Sequence, residues 1–400
     1  MQNKPFVYSS FFRDRFALVF GLFVLVFFIV QQINHRFMLH DFEVYHSAAK
    51  AYLQGSQVYG VTFGLGSGYF KYSPFFLWLV APFSLVPLEL AKLLYYFVLA
   101  GCTLLVIGII ERYLADTFYP QEKDRSLVIR TVAVLICGSQ LYRELHLGNI
   151  NMILLLVSMQ ALIDSSRNKH LRAGLLLGLI MLIKPHFLLL FPLLLLAGEI
   201  AVFVFAMLML GLGLLLPYLV DLTFSSDLTR QWIQAMSDHN VDFLYYPNTL
   251  YSLLYKAFGG LQALNTKIYL LGSLASVLML VFGGMLYARL KRGRLDFNFW
   301  FLFLIAMVPS ITNTDTEHFL FTMPLIVYVL HALMERRYPG LAEFAFIAFL
   351  CYGANYGDLV GRKASGWMTD NGLLGIGNVL VLVVALYINT FKNRTSETYA

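Results

Sequence analysis

From Phe16 to Ile33, and again from Ile200 to Val220, no charged side chain interrupts the sequence. A helix crossing the hydrocarbon core of a bilayer takes roughly 20 such residues. Within lipid, only a helix or a closed barrel satisfies every backbone polar group. These runs are continuous and do not alternate between apolar and polar residues, which argues against a barrel. Further apolar stretches occupy 74–87, 88–111, 127–145, 150–163, 173–183 and 186–197, and then 264–288, 298–312, 317–334, 341–356 and 372–391. Counted together they give room for about 12 crossings, by the same arithmetic. Several are shorter than a full span, the pattern of helices that end inside the membrane where freed backbone lines a polar cavity. Composition agrees: only 13% of the residues are charged, against about a quarter in a soluble domain, too few to build a water-facing surface. The expected fold is an all-α integral membrane protein, with residues 1–400 forming a single polytopic domain.

The formal net charge is +6, but it does not point to nucleic acid. The basic residues fall in short clusters between the apolar runs: Lys4/Arg13/Arg15, Arg112/Lys123/Arg125, Arg167/Lys169/Arg172, Arg289/Lys291/Arg292/Arg294, Arg336/Arg337 and Lys392/Arg394. That is the positive-inside pattern of a multi-pass cell-membrane protein. Placing these clusters in the cytoplasm puts two long polar segments outside, 34–73 and 221–260. One conflict follows, because 74–111 reads as two helices where the topology allows one net crossing. The stretch 74–87 is therefore expected to dip into the membrane or lie at its surface. Arg362/Lys363 is left outside, against the rule. The first apolar run, with no small-residue cleavage site after it, reads as an uncleaved helix. Cys102, Cys137 and Cys351 all lie in apolar stretches, where buried free thiols are the default.

Ionisable groups near a membrane interior are costly, so each is a functional candidate. The topology gathers several at the outer face: Asp41, Glu144, His146, Lys184, His186, Asp315, Glu317 and His318, with the amides of Asn149 and Asn151 beside them. The first polar segment adds glycines 55, 60, 64, 66 and 68. The second adds Trp232, Asp238, His239, Asp242 and Tyr245-Tyr246-Pro247-Asn248. A carboxylate in such a cavity suits a general base toward a hydroxyl. Lysine, histidine and amide donors suit a phosphate oxygen. Each also has an ordinary structural role open to it. Asp41 reads equally as an interfacial charge, Lys184 as a snorkelling lysine, and His186 or His318 as a helix cap. Asn248 reads as an N-cap, and Glu144 as the partner of Arg143 or Lys184. No phosphate loop between strand and helix, no His-x-x-Glu-His and no Cys-x-x-Cys spacing occurs.

Four groups of residues, taken in order, carry a resemblance. The first is Asp41-Phe42-Glu43-Val44-Tyr45 with Ala48, Ala49, Gly55 and Tyr59. The second is Phe70-Lys71-Tyr72-Ser73-Pro74-Phe75 with Pro82 and Pro87. The third is Leu147-Gly148-Asn149-Ile150-Asn151, then Ala173-Gly174 and Ile183-Lys184-Pro185. The fourth is Pro247-Asn248-Thr249-Leu250, then Pro309-Ser310-Ile311-Thr312 and His318. The series resembles the polyprenol-phosphate-sugar-dependent glycosyltransferases of family 87, relatives of bacterial phosphatidylinositol-mannoside mannosyltransferases. Asn149 stands where that family usually has Gln, Ser73 replaces a proline, and Asn313 to Glu317 replace its usual Trp.

The resemblance implies a GT-C-type helical bundle with an extracytoplasmic active-site cavity. It implies an inverting enzyme that moves a sugar, mannose above others, from a polyprenyl-phosphate donor to a lipid or glycan acceptor on the outer face of the membrane. By position, Asp41 in the first outer segment is the catalytic base. Lys184 and His318 hold the donor phosphate, and Tyr45, Tyr72, Asn149, Asn151, His186 and Asn248 line the sugar and acceptor pockets. No cofactor is implied, neither nucleotide nor metal, although Asp315/Glu317/His318 is a place where a divalent ion would find ligands. The competing reading is a transporter or flippase of a lipid-linked sugar or other anion. It would use the same cavity without a base at Asp41.

Overall fold

The computed structural model describes residues 15–64, 68–120, 125–224, 226–239, 247–257, 266–293, 295–312, 315–335 and 340–398. Several residues singled out above lie outside them: Gly66, Asp242, Tyr245, Tyr246, Asn313, Lys4, Arg13, Lys123, Arg294, Arg336 and Arg337. The side chains of Asp238, His239, Arg292, Lys392 and Arg394 do so too.

The first helix, α1 (Arg15–Ile33), shows why the chain needs a bilayer. Phe16, Phe20 and Val24 fall one turn apart and are buried. The opposite face leaves Leu18, Val19, Leu22, Val26 and Ile33 exposed, an apolar stripe that water would not tolerate and lipid does. The buried face meets α4 (Leu88–Phe118), whose Tyr96 hydroxyl donates to the Val24 carbonyl at 2.9 Å. Between the two, the polar segment 34–73 contains one helix of 14 residues. His35 and Leu39 take left-handed backbone angles, and the chain turns there into α2 (His40–Leu53). Phe42, Tyr45, Ala48 and Ala49 of α2 are buried at helical spacing. Next comes α3 (Pro74–Ser84), opened by a proline in its first turn, where a missing N–H costs nothing. Eleven residues rise only about 16 Å, short of the ~30 Å hydrocarbon core.

Helices α5 (Ser126–Ile136) and α6 (Gly138–Leu147) are separated at Cys137, inside the stretch 127–145 that hydropathy reads as continuous. Helix α7 (Asn151–Ser166) then leaves α6 at a bend of 113°. Helix α8 (His170–Ile183) is followed by a 3-10 segment, Pro185–Leu189, and by α9 (Leu190–Ala197) and α10 (Ile200–Phe224). The second polar segment holds α11 (Leu228–His239) and α12 (Leu250–Ala257). Asp221 caps α11 by accepting from the backbone N–H groups of Leu228 and Thr229, at 3.2 and 2.7 Å. Helix α13 (Thr266–Arg292) leads to α14 (Phe297–Ile311), a second 3-10 segment, Thr316–Thr322, and α15 (Met323–Met334). α14 and α15 are buried along most of their length and form the centre of the bundle. Helices α16 (Leu341–Gly353), α17 (Gly357–Val360), α18 (Arg362–Asp370) and α19 (Leu373–Thr398) complete it.

Among the described residues, six helical stretches are long and apolar enough for a full crossing, or seven if the bent α6–α7 pair counts as one span. Six more apolar helices run only 10–17 residues. Among the described residues, the twelve or so apolar stretches thus divide into about equal numbers of full-length and shorter helices.

Buried polar contacts and small residues hold the helices together. Arg130 on α5 donates from Nε and Nη2 to Glu111 on α4, at 3.1 and 2.8 Å. Asn378 on α19 donates to the Ala306 carbonyl and to Ser310 Oγ on α14, at 3.0 and 2.8 Å. Against α10, a β-carbon on Gly178 of α8 would meet the Ala206 carbonyl oxygen and Met209 Cβ, each at 2.6 Å. Close backbone approach of this kind is how membrane helices gain packing. Replacing Gly178 by Val is expected to destabilise the protein by about 1–3 kcal/mol, the usual cost of overpacking. A lowered melting temperature in detergent would show it.

Candidate active site

Three breaks in the helices and the start of a fourth meet at one end of the bundle. Gly148 ends α6 in the left-handed region at φ +69°, and a β-carbon there would meet Phe42 Cβ at 3.1 Å and Leu39 Cβ at 3.2 Å. The absence of a side chain lets the α6–α7 turn press against the first turn of α2, where Asp41 sits. Asn149 Nδ2 donates to Asp41 Oδ2 at 2.7 Å. The same nitrogen lies 3.4 Å from Glu317 Oε1 on the second 3-10 segment. The Tyr95 hydroxyl fixes the Asn149 carbonyl at 3.1 Å.

A second chain of contacts runs alongside. Glu144 Oε1 accepts from the Met152 N–H at 2.9 Å, and Oε2 accepts from Asn151 Nδ2 at 2.8 Å. Asn151 Oδ1 in turn accepts from Lys184 Nζ at 2.5 Å. Lys184 follows α8 and is itself buried, 4% exposed. Its Nζ also reaches His318 Nε2 at 2.6 Å. An ammonium only donates, so Nε2 accepts and the proton of neutral His318 sits on Nδ1. Among the described residues that nitrogen is buried and makes no hydrogen bond of full geometry, although the Asp315 backbone lies beside the ring. Glu144 therefore touches neither Arg143 nor Lys184 directly; Asn151 stands between it and the lysine. Arg143 pairs instead with Glu317, Nε to Oε2 at 3.2 Å.

Asp41 is partly buried, and that desolvation raises its pKa to about 6. The Asn149 hydrogen bond and the charges of Lys184 and Arg143 pull the other way, while Asp315 adds to the rise. Lys71, in the segment before α3, has its pKa lowered by burial, opposed by Asp315 and Asp41. One turn beyond Asp41, the Tyr45 hydroxyl lies 3.0 Å from that of Tyr72. The Tyr72 carbonyl accepts from the Tyr59 hydroxyl at 2.8 Å. Burial pushes both Tyr45 and Tyr72 upward, so both stay neutral hydrogen-bonding groups.

Of the residues expected from sequence, Asp41, Asn149, Asn151, Lys184 and His318 are thus joined by contacts, with Tyr45 and Tyr72 beside them. His186, half-buried on the first 3-10 segment, lies within electrostatic reach of Lys184 and His318. Asn248 stands apart. Its Oδ1 accepts from the Gly375 N–H at 3.2 Å, tying the start of α12 to α19. Asp315, Glu317 and His318 do not converge: Asp315 is exposed, Glu317 faces Arg143 and Asn149, and His318 faces Lys184. Among the described residues, no group of three or more His, Cys, Asp or Glu is placed to hold a metal ion.

Arg143 and Glu317 carry more of the geometry than sequence reasoning gave them. They are 174 positions apart, so no local spacing pairs them. The available signal was charge on short apolar helices, which calls for a partner. Beside this cluster lies a cavity of about 900 Å³. It is lined by Phe16, Val19, Phe20 and Phe23 of α1 and by Arg36 beyond that helix, is walled by α5, α6 and α18, and reaches Arg143, Asn248 and Thr316.

The sequence profile of glycosyltransferase family 87 matches residues 70–312, more than half of the chain. No curated protein sequence matches it. Among solved structures, the crystal structure of ArnT from Cupriavidus metallidurans bound to undecaprenyl phosphate is a distant likeness. It has 16% identity and a TM-score of 0.38, over 92% of this chain and 76% of that one.

Proposed function

Because the chain belongs to glycosyltransferase family 87, we propose that it is an inverting hexosyltransferase working on the outer face of the membrane. It moves a sugar, mannose by its resemblance, from a polyprenyl-phosphate donor to a hydroxyl of a lipid or glycan acceptor. The observation that carries this reading is the setting of Asp41. Its carboxylate is held in place by Asn149 and raised to about 6, close to the working pH, where a general base is most effective.

In the proposed reaction, Asp41 takes the proton from the acceptor hydroxyl as its oxygen attacks the anomeric carbon. The bond from that carbon to the phosphate oxygen breaks on the opposite face, and polyprenyl phosphate departs. One displacement inverts the configuration, so a β-linked donor yields an α-linked product. Lys184 supplies positive charge toward the departing phosphate, and His318, whose Nε2 is engaged by Lys184, supplies its Nδ1–H as a donor. Tyr45, Tyr72, Asn149, Asn151 and His186 offer hydroxyl, amide and imidazole groups to the sugar and acceptor. Asn248 lines the neighbouring cavity.

The outer-face assignment draws on where the basic residues lie. The ends of α4, α7 and α15 and the start of α14 meet through Tyr113–Ser166, Ser166–Asn298 and Arg125–Met334 contacts. The segments carrying Arg112, Arg125, Arg167, Lys169 and Arg172 gather there, at the far ends of α4 and α7 from Asp41. Positive residues favour the cytoplasm, which turns the Asp41 end outward.

Purified protein given polyprenyl-phosphate mannose and membrane glycolipid extract is expected to form a mannosylated product, detected by mass spectrometry, with no sugar nucleotide present. Transfer only from a sugar nucleotide would overturn the donor class. Movement of lipid-linked sugar across vesicles without transfer would favour a transporter.

A further inference from the structure

The sequence assigns the donor phosphate to Lys184 and His318, but the geometry leaves that lysine little freedom. It is buried and already held by Asn151 and His318. Arg143 is placed differently. Its side chain is 46% exposed, while its partner Glu317 is 1% exposed. The guanidinium thus bridges a buried carboxylate and the cavity, which Arg143 lines together with Arg36. Both arginines also act electrostatically on His146, so they belong to the same corner.

From that corner the cavity reaches Phe23, Phe20, Val19 and Phe16 near the start of α1. A 19-residue helix rises about 28 Å, close to the thickness of the hydrocarbon core. An apolar channel of that reach, with two guanidinium groups at its polar end, matches an anion carried on a long hydrocarbon chain. A sugar acceptor presents a neutral hydroxyl to Asp41, and only the donor brings a phosphate on a prenyl chain.

Arg143 is also wired to the base. Glu317, which it pairs with, lies against the same Asn149 nitrogen that donates to Asp41. We propose that Arg143 is a further donor-phosphate contact, with the prenyl chain along α1. We further propose that its move from Glu317 to the phosphate is relayed to Asp41 through Glu317 and Asn149. Once the arginine turns to the phosphate, Glu317 loses its partner and draws more strongly on Asn149, and the amide hydrogen bond that fixes Asp41 changes with it. Glu317 is then a positioning residue and does not touch substrate. This inference rests on the lipid-phosphate donor reading.

The test uses the full-length protein in detergent, with undecaprenyl phosphate and uncharged undecaprenol as probes. Wild type is expected to prefer the phosphate by about tenfold or more, the range for charge-assisted hydrogen bonds. Arg143→Gln is expected to lose that preference and Arg143→Lys to keep part of it. Glu317→Gln is expected to keep or strengthen it, because the arginine loses its competing carboxylate, while turnover falls. A purely structural ion pair would make Arg143→Gln and Glu317→Gln behave alike, which would overturn the relay. The double variant Arg143→Gln/Glu317→Gln leaves no buried charge unpaired and controls for folding by its melting temperature; a phosphate preference restored there would also overturn the proposal. If Arg143→Gln alone keeps the full preference, Arg143 is not a contact, although the donor class stands. If wild type shows no preference, the donor class and this inference fall together.

Discussion

Asp41→Asn is expected to lower sugar transfer by about 10²- to 10⁴-fold, the usual contribution of a general base, without loss of the fold. The substitution is isosteric, and its amide oxygen still accepts from Asn149 Nδ2 as the carboxylate does at 2.7 Å. What disappears is the lone pair that takes the proton. The pH dependence gives a second, independent sign. Burial raises the pKa of Asp41 to about 6, and the base works only as the carboxylate. Wild-type kcat/KM should therefore rise with pH through about 6 and fall about tenfold per unit well below it. Residual activity in Asp41→Asn should lack that acid limb. Equal transfer by both proteins would remove the general-base role from Asp41. Loss of transfer with the acid limb intact would assign the limb to another group. A change in melting temperature comparable to that of a core variant would mean that Asp41 supports the α2–α7 contact more than the chemistry.

That Asp41 would find Asn149 and Lys184 would find His318 could be anticipated, because charge in an apolar chain is costly and each group needs a partner or a job. The membrane class was legible for the simpler reason that continuous apolar runs have no other stable home. Helix ends were not. Hydropathy reports composition, and it passes over Cys137, where α5 stops and α6 begins, because both sides are apolar. The 113° bend depends on Gly148 taking positive φ and on the small gap beside Leu39 and Phe42, a tertiary fact. Helix α2 was missed for the opposite reason: His40, Asp41, Glu43 and Lys50 lower its mean hydropathy. Yet the spacing of Phe42, Tyr45, Ala48 and Ala49 is that of an amphipathic helix. Asn248 makes a contact no local pattern specifies, its amide oxygen accepting from Gly375, 127 positions away.

Lys184→Met should have the largest combined effect on stability and activity. The lysine is buried, and its Nζ joins Asn151 to His318 at 2.5 and 2.6 Å beneath the ring of Phe321 at 6.0 Å. Glu144, Glu317, Asp41 and Asp315 all lie within its electrostatic reach. Methionine matches the volume but removes the positive charge that Asn151 and His318 touch directly. Breaking a buried ionic group by removing one partner costs about 3–5 kcal/mol. Transfer should fall by about 10²- to 10³-fold, the scale of losing one electrostatic contact in a catalytic site. Structural loss and chemical loss can be separated by pairing the change with Glu144→Gln. That carboxylate is bonded to Asn151 Nδ2 and the Met152 N–H at 2.8 and 2.9 Å, contacts a glutamine keeps in part while shedding the charge. The double variant should melt closer to wild type than Lys184→Met does, because no carboxylate at Glu144 is left uncompensated. If the lysine acts on the donor phosphate, transfer should stay low in that variant despite the recovered fold. If transfer returns with stability, Lys184 serves to neutralise the buried carboxylates, and the work at the phosphate falls to Arg143 and His318.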